Sequence, residues 1–188
     1  MQNTYQLLNQ QIKQRLEGVQ FSQKIHINEA LSLVLDSLHI PVQAKLACLS
    51  IDTSLKHLDK VSYQNYERDG ILIGDLLSAH YYTLLSDINN TEFQIKMSQA
   101  IIKINELKSM LQHKVDQLPQ SQVIEMIYHI ETLLIKQVLD VFKSDKITRE
   151  PISELIQKLN VSDMSYLQLF DHETSINLFQ QLQEKYTN

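Results

Sequence analysis

The chain has 188 residues, 43% of them hydrophobic, a net charge of −5, and only three glycines and three prolines. That length supports one domain with a real core. So few turn formers, beside so much Leu, Ile, Gln, Lys and Glu, exclude an all-β fold and predict long helices. The acidic balance disfavours non-specific binding to nucleic acid or to an anionic membrane. The single cysteine, Cys48, cannot form an internal disulfide, which predicts a reducing, cytoplasmic setting. The opening MQNTYQLLNQQ has no basic n-region and no apolar h-region, so it does not read as a secretory signal. No apolar run approaches the roughly 20 residues of a membrane span.

Apolar spacing and punctuation place the helices in order. The first covers 4–17, with Leu8, Ile12 and Leu16 on one face, and ends at Gly18. The second starts near Asn28, a good cap, carries Leu31, Val34, Leu35 and Leu38, and stops before Pro41. The third runs from Pro41 to about Asp59, and the fourth spans 64–86. The fifth opens on a capping box of Thr91 and Gln94. Phe93, Met97, Ala100, Ile104, Leu107, Leu111, Val115 and Leu118 then recur every three or four residues to Pro119. The sixth covers 121–143, with Val123, Ile127, Ile130, Leu134, Val138 and Val141 in one stripe. Ile124, Met126, Leu133 and Phe142 widen it, as burial on more than one side requires. Pro151 opens a seventh helix in its first turn, and one or two short helices finish the chain. The expectation is a single all-helical domain over 1–188, an all-α bundle or orthogonal array.

Catalytic chemistry finds little footing. The seven histidines stand at 26, 39, 57, 80, 113, 129 and 172. A helical di-iron site needs two Glu-x-x-His pairs and two further glutamates. Only Asp36 and His39 have an acid–x–x–His spacing, and Glu125 shares a face with His129 but has no second pair. No zinc motif is present. Gly70 and Gly74 are followed by Asp75, which would repel the phosphate that a P-loop cradles. Nucleophile elbows are absent. Residues 152–170 have the apolar spacing of a helix-turn-helix, yet 161–170 contain no Arg or Lys to reach phosphates or bases. From 144 to 188, four basic residues (Lys146, Arg149, Lys158 and Lys185) face seven acidic ones. Two short packed helices are the better reading there.

The informative stretch is GILIGDLLSAHYYTLL, residues 70–85. Gly70, Gly74 and Ser78 fall at i, i+4 and i+8, a bare strip where another backbone can approach. A glycine inside a helix costs roughly 1 kcal/mol against alanine, so two of them call for a packing reason, inside the chain or against a second one. Tyr81 and Tyr82 are about 100° apart around the helix. One is expected to pack inside, leaving the other free.

Here the chain resembles a known family. Gly74-Asp75-Leu76-Leu77-Ser78-Ala79-His80-Tyr81-Tyr82 is similar to a helix of the all-trans polyprenyl diphosphate synthases. It is most similar to the form in the small subunit, component I, of heteromeric heptaprenyl and hexaprenyl diphosphate synthases. Leu49-Ser50-Ile51-Asp52-Thr53-Ser54-Leu55 sits where that subunit has a Leu-Asp-Thr-His-like stretch. The resemblance is sharp over about 45–90, and elsewhere rests on length and helical layout. The departures from catalytic members are as telling. Their two aspartate-rich motifs, which hold Mg²⁺ on the allylic diphosphate, have no counterpart beyond Asp52, with Asp59 seven residues on. No Asp-Asp pair and no Arg-Arg-Gly loop occur anywhere in the chain.

The resemblance therefore implies part of the isoprenoid-synthase fold and a non-catalytic subunit of a heterodimer. No catalytic residue, metal ligand or cofactor is expected in this chain, and Mg²⁺ is expected in a larger catalytic partner that bears the aspartate motifs. The complex would bind allylic and isopentenyl diphosphates and make a long, heptaprenyl chain for menaquinone biosynthesis. Gly70, Gly74, Asp75, Ser78, Tyr81 and Tyr82 become candidates for helix packing or the subunit interface, Asp75 as a structural hydrogen-bonding residue. Two other readings stay open: a helical adaptor unrelated to prenyl synthesis, and an independent enzyme using scattered acids and histidines.

Overall fold

The computed structural model describes residues 2–19, 25–64, 68–114, 117–142 and 149–187, side chains excepted at 61–64, 68 and 69. Among them all regular structure is helical, with α1 Thr4–Arg15, α2 Glu29–Ser37, α3 Val42–Gln64, α4 Arg68–Ile88, α5 Thr91–Lys114, α6 Gln120–Phe142, α7 Arg149–Lys158 and α8 His172–Tyr186. Val115, Lys143 and Lys146, used in the sequence reading, lie outside the described residues.

Local chemistry sets most of the boundaries. Asn3 caps α1 by accepting from the Gln6 N–H at 2.8 Å, and Gln6 returns the bond to the Asn3 N–H at 3.3 Å. This reciprocal box satisfies two otherwise orphaned donors. Gly18 takes a φ of 84° after the last turn, a left-handed conformation that glycine adopts without strain. Asn28 caps α2 on the Leu31 N–H. Pro41 and Pro119 precede α3 and α6, their carbonyls accepting the first-turn N–H groups. The α5 helix begins at Thr91 itself, so Thr91 sits inside the first turn and the helix starts one residue earlier than a cap at Thr91 implies. The last part of the chain departs further. After α7 the backbone makes two short 3₁₀ turns, Val161–Asp163 and Ser165–Leu169, and then a full-length helix of 15 residues.

The chain forms two compact units, 1–90 and 91–188. In the first, α3 packs on α1, α2 and α4. From Ala44 to Ser54 every residue of α3 is buried, so this helix has no solvent face over three turns. Leu8, Leu35, Leu49, Ile73 and Tyr81 fill the core around it. Asp36 ties α1 to α2 by accepting from both the N–H and the hydroxyl of Thr4. In the second unit α6 is central and packs on α5, α7 and α8. Phe93, Met97, Ile104, Leu111, Ile127, Ile135 and Val138 are fully or almost fully buried.

Candidate functional site

The α3–α4 pair carries the residues that the sequence singles out. Gly70, Gly74 and Ser78 lie one turn apart along α4 and turn toward α3. A Cβ built on Gly74 would stand 2.3 Å from Leu58 Cδ2 and 2.7 Å from its Cγ. The Leu58 side chain thus fills the space that any other residue's Cβ would occupy. Polar groups flank this contact. Ser54 and Ser78 hydroxyls are 2.8 Å apart, and Ser54 Oγ reaches the Gly74 carbonyl at 3.2 Å. Ser54 has one hydroxyl hydrogen, which it donates to the carbonyl, so Ser78 is the donor in the serine pair. His57 Nε2 donates to the Gly70 carbonyl at 3.1 Å, and burial holds its pKa below the ordinary histidine value. A Ser–Ser–carbonyl relay and a His–carbonyl bond therefore lock α4 onto α3 around a glycine seat. Neither partner on α3, Ser54 or His57, is marked for this role by the sequence pattern.

The six candidate residues divide between two faces. Gly70, Gly74, Ser78 and Tyr81 face the chain's own interior, and Tyr81 is fully buried. Burial pushes its phenol up, and its hydroxyl has no hydrogen-bond partner among the described residues. Asp75 and Tyr82 point outward, Tyr82 at 60% exposure. The two tyrosine rings remain in tilted contact with centroids 5.1 Å apart. Leu72 and Ala79 share the outer face. They went unnoticed because α4 is apolar nearly all round, and an apolar surround hides which side is solvent.

Asp52 is the acid that the sequence resemblance sets at the place of the first aspartate motif. Lys56 Nζ lies 3.2 Å from Asp52 Oδ1, with side chains only 5% and 11% exposed respectively. The carboxylate thus carries an internal counter-ion at i+4. The other oxygen, Oδ2, is buried without a hydrogen-bond partner among the described residues. Among the described residues no group of three His, Cys, Asp or Glu side chains could hold a metal. These residues do not fit Mg²⁺, which seeks several oxygen ligands, since an ammonium group already occupies the neighbourhood of Asp52. Cys48, one turn before Asp52, is fully buried, and burial raises its thiol far above the ordinary range, so it has no thiolate to offer.

The remaining histidines are structural or superficial. His80 Nε2 donates to Gln11 Oε1 at 2.9 Å, joining α4 to α1. Burial, with Arg15 nearby, pushes it down to about 4. His129 lies 3.8 Å from Glu125 on the α6 surface. Asp36, read from sequence as a partner in spacing for His39, is used by Thr4, and His39 is exposed.

Comparison with known proteins agrees with this layout. A family model described as HexPS-like, hexaprenyl diphosphate synthase, small subunit, matches residues 2–135. A crystal structure of heptaprenyl diphosphate synthase from Staphylococcus aureus superposes with a TM-score of 0.85 at 38% sequence identity, over 98% of this chain and 100% of that one. The all-α architecture is thus that of part of the isoprenoid-synthase fold.

Proposed function

This chain belongs to the small-subunit family of hexaprenyl diphosphate synthase, and from that premise we propose that it is the non-catalytic, structural and regulatory subunit of a heteromeric all-trans polyprenyl diphosphate synthase. Its partner is a larger catalytic subunit bearing the aspartate-rich motifs. Mg²⁺ bound there would neutralise the diphosphate leaving group. The complex binds the allylic and isopentenyl diphosphates and extends the chain to heptaprenyl length, for the menaquinone side chain. The likeness to the Staphylococcus aureus heptaprenyl synthase supports that length. The setting is the cytoplasm, as a single, buried cysteine supports. No helix among the described residues is long and apolar enough to cross a membrane.

One observation carries the non-catalytic role. The Lys56 ammonium sits on Asp52, and that arrangement holds the helix together instead of presenting a carboxylate to a metal. The role of this chain is then to complete the complex through α4 and to shape the space in which the tail grows. The test is prenyl transfer from radiolabelled isopentenyl diphosphate to farnesyl diphosphate. The isolated chain is expected to give no polyprenyl product at any Mg²⁺ concentration, and product is expected on adding the catalytic subunit. Robust product from this chain alone overturns the reading. We also propose that the two compact units unfold together as one domain, with one calorimetric transition.

A further inference from the structure

Two exposed charges of opposite sign stand unpaired on one surface of the first unit. Asp75 of α4 makes no hydrogen bond or ion pair among the described residues. Arg15, at the end of α1, makes no ion pair there either, and its Nη2 donates to Thr83 Oγ1 of α4 at 3.1 Å. Both charges are exposed. Asp75, Leu76, Ala79, Tyr82 and Thr83 fall within an arc of about 120° at the helical advance of about 100° per residue. Their order is symmetric about Ala79: Leu76 and Tyr82 lie three residues to either side of it, and Asp75 and Thr83 four. Consider an antiparallel copy of α4, related by a two-fold axis through Ala79. It sets Leu76 against Tyr82 of the second copy, and Asp75 against Thr83 of the second copy, which is where that copy's Arg15 stands. Each contact then occurs twice.

We propose that the free chain pairs with a second copy of itself through this face, as an antiparallel two-fold dimer closed by two Asp75–Arg15 ion pairs, and that this dimer covers α4 until the catalytic subunit displaces it. The self-pairing stands on the face alone, whereas the displacement rests on the small-subunit reading. The second copy is the occupant because every position on the face meets its complement there: aliphatic on aromatic, small on small, acid on base. Ala79 against Ala79 lets the two helix backbones come close. Closing them covers Tyr82, a ring left 60% exposed in the single chain, and burying that apolar surface drives the association. A carboxylate that loses water in the contact needs a cation, and a guanidinium supplies one with two parallel hydrogen bonds. Charge also fixes the sense of the pairing. A parallel arrangement would bring Asp75 against Asp75 and leave both arginines outside, at the cost of like-charge repulsion. One helix face and the edge of a second helix make a patch at the small end of specific interfaces, so the dimer is weak enough to be exchanged for a larger contact.

The test follows the oligomeric state of the full chain by sedimentation equilibrium. The wild type is expected to dimerise with rising concentration, less so as salt is added. Asp75→Arg and Arg15→Asp are each expected to weaken the dimer about 10-fold or more. An equimolar mixture of the two variants is expected to dimerise again, because one chain then carries both bases and the other both acids. Ala79→Cys lies on the two-fold axis and is expected to cross-link to a second copy under mild oxidation, while Cys48 stays buried. All three positions are exposed, and melting temperatures close to wild type are expected. A wild-type chain that stays monomeric, a mixture that stays monomeric, or an Ala79→Cys chain that does not cross-link overturns the self-pairing. The cross-linked dimer is expected to capture the catalytic subunit only after a reductant opens it. Equal capture before and after reduction overturns the displacement and leaves the dimer standing. If the wild-type chain captures no catalytic subunit at all, the small-subunit reading and the displacement fail together, and sedimentation still decides the self-pairing.

Discussion

Two long helix pairs in this chain are held together by different chemistry. Small and polar groups close α3 against α4: Gly74 under Leu58, the Ser54–Ser78 relay and His57 on the Gly70 carbonyl, while α3 itself carries the buried Lys56–Asp52 pair. The α5–α6 pair buries large apolar side chains, Phe93, Met97 and Ile104 on one helix and Ile127, Leu134 and Val138 on the other, with Phe93 and Phe142 edge to face at 4.9 Å. Apolar packing of the second kind adapts to exchanges of similar volume. A glycine seat or a buried ion pair does not adapt, because removing one partner leaves a clash or an uncompensated charge. Both pairs leave large apolar side chains in the open, Leu72 and Tyr82 on α4 and Ile95 and Ile102 on α5, but only on α4 does that face have so fixed a back.

The largest expected effect separates the two pairs most clearly. Lys56→Met leaves the Asp52 carboxylate buried with no counter-ion, and the loss expected from such a break is about 3–5 kcal/mol. Met97→Leu, at an equally buried site in α5, should cost less than about 1.5 kcal/mol. Urea unfolding of both variants measures the contrast. Adding Asp52→Leu to Lys56→Met should recover much of the loss, since the pair is then replaced by apolar side chains. Equal costs for Lys56→Met and Met97→Leu would remove the distinction between the pairs.

A smaller effect tests the glycine seat. Alanine is the better helix former by roughly 1 kcal/mol, so Gly74→Ala would stabilise an uncrowded helix. Here the new methyl would meet Leu58 at 2.3 Å. The overpacking cost of about 1–3 kcal/mol should exceed the helical gain. In a Leu58→Ala background the same substitution should cost less, and a double-mutant cycle reads the coupling directly. A stabilised Gly74→Ala with no coupling to Leu58 would mean that the seat is loose.

What could be read from the residues alone follows the same division. The strip Gly70, Gly74, Ser78 was legible because glycines inside an apolar helix are costly and regularly spaced here. That Tyr81 and Tyr82 must part company followed from the helical advance alone. The Asp52–Lys56 pair stands at a familiar i, i+4 spacing, but spacing alone does not reveal that both of its ends are buried. Burial of α3 on all sides was not legible. Lys45, Asp52, Lys56 and His57 break the apolar run, and only the packing of α1, α2 and α4 around them reveals that they are inside. The outward placement of Leu72 and Ala79 was hidden for the opposite reason. In the tail, α8 has few apolar residues, with Leu178 and Leu182 at its buried face, so a 15-residue helix looked shorter than it is. Periodicity fixes that a helix exists more firmly than where it ends, and Thr91 shows the one-residue slip that follows.

The smallest expected effect distinguishes the pairs by proton uptake. His80 on α4 is held at about 4, against an ordinary 6.5, mainly by burial. His57 on α3 is lowered for the same first reason. A base whose pKa is lower in the folded state takes up its proton more readily when unfolded. Its neutral form supports the fold fully above pH 6.5, and that support is lost as pH falls from 6.5 toward 4. Stability should therefore be level above neutrality and should decline across that window. Each such histidine contributes at most about one proton of slope. His80→Gln keeps a donor for Gln11 Oε1 and removes the titration, so the decline should become shallower by up to that amount. Hydrogen exchange followed residue by residue locates the effect. Protection of α3 and α4 amides should fall with acidification in the wild type and fall less in His80→Gln. In α6, His129 is shifted in the same direction but lies half-buried beside Glu125, and a weaker response is expected there. An identical slope in the wild type and His80→Gln would show that this imidazole is not buried as a neutral group and that the α4 contact with α1 is wetter than its geometry implies.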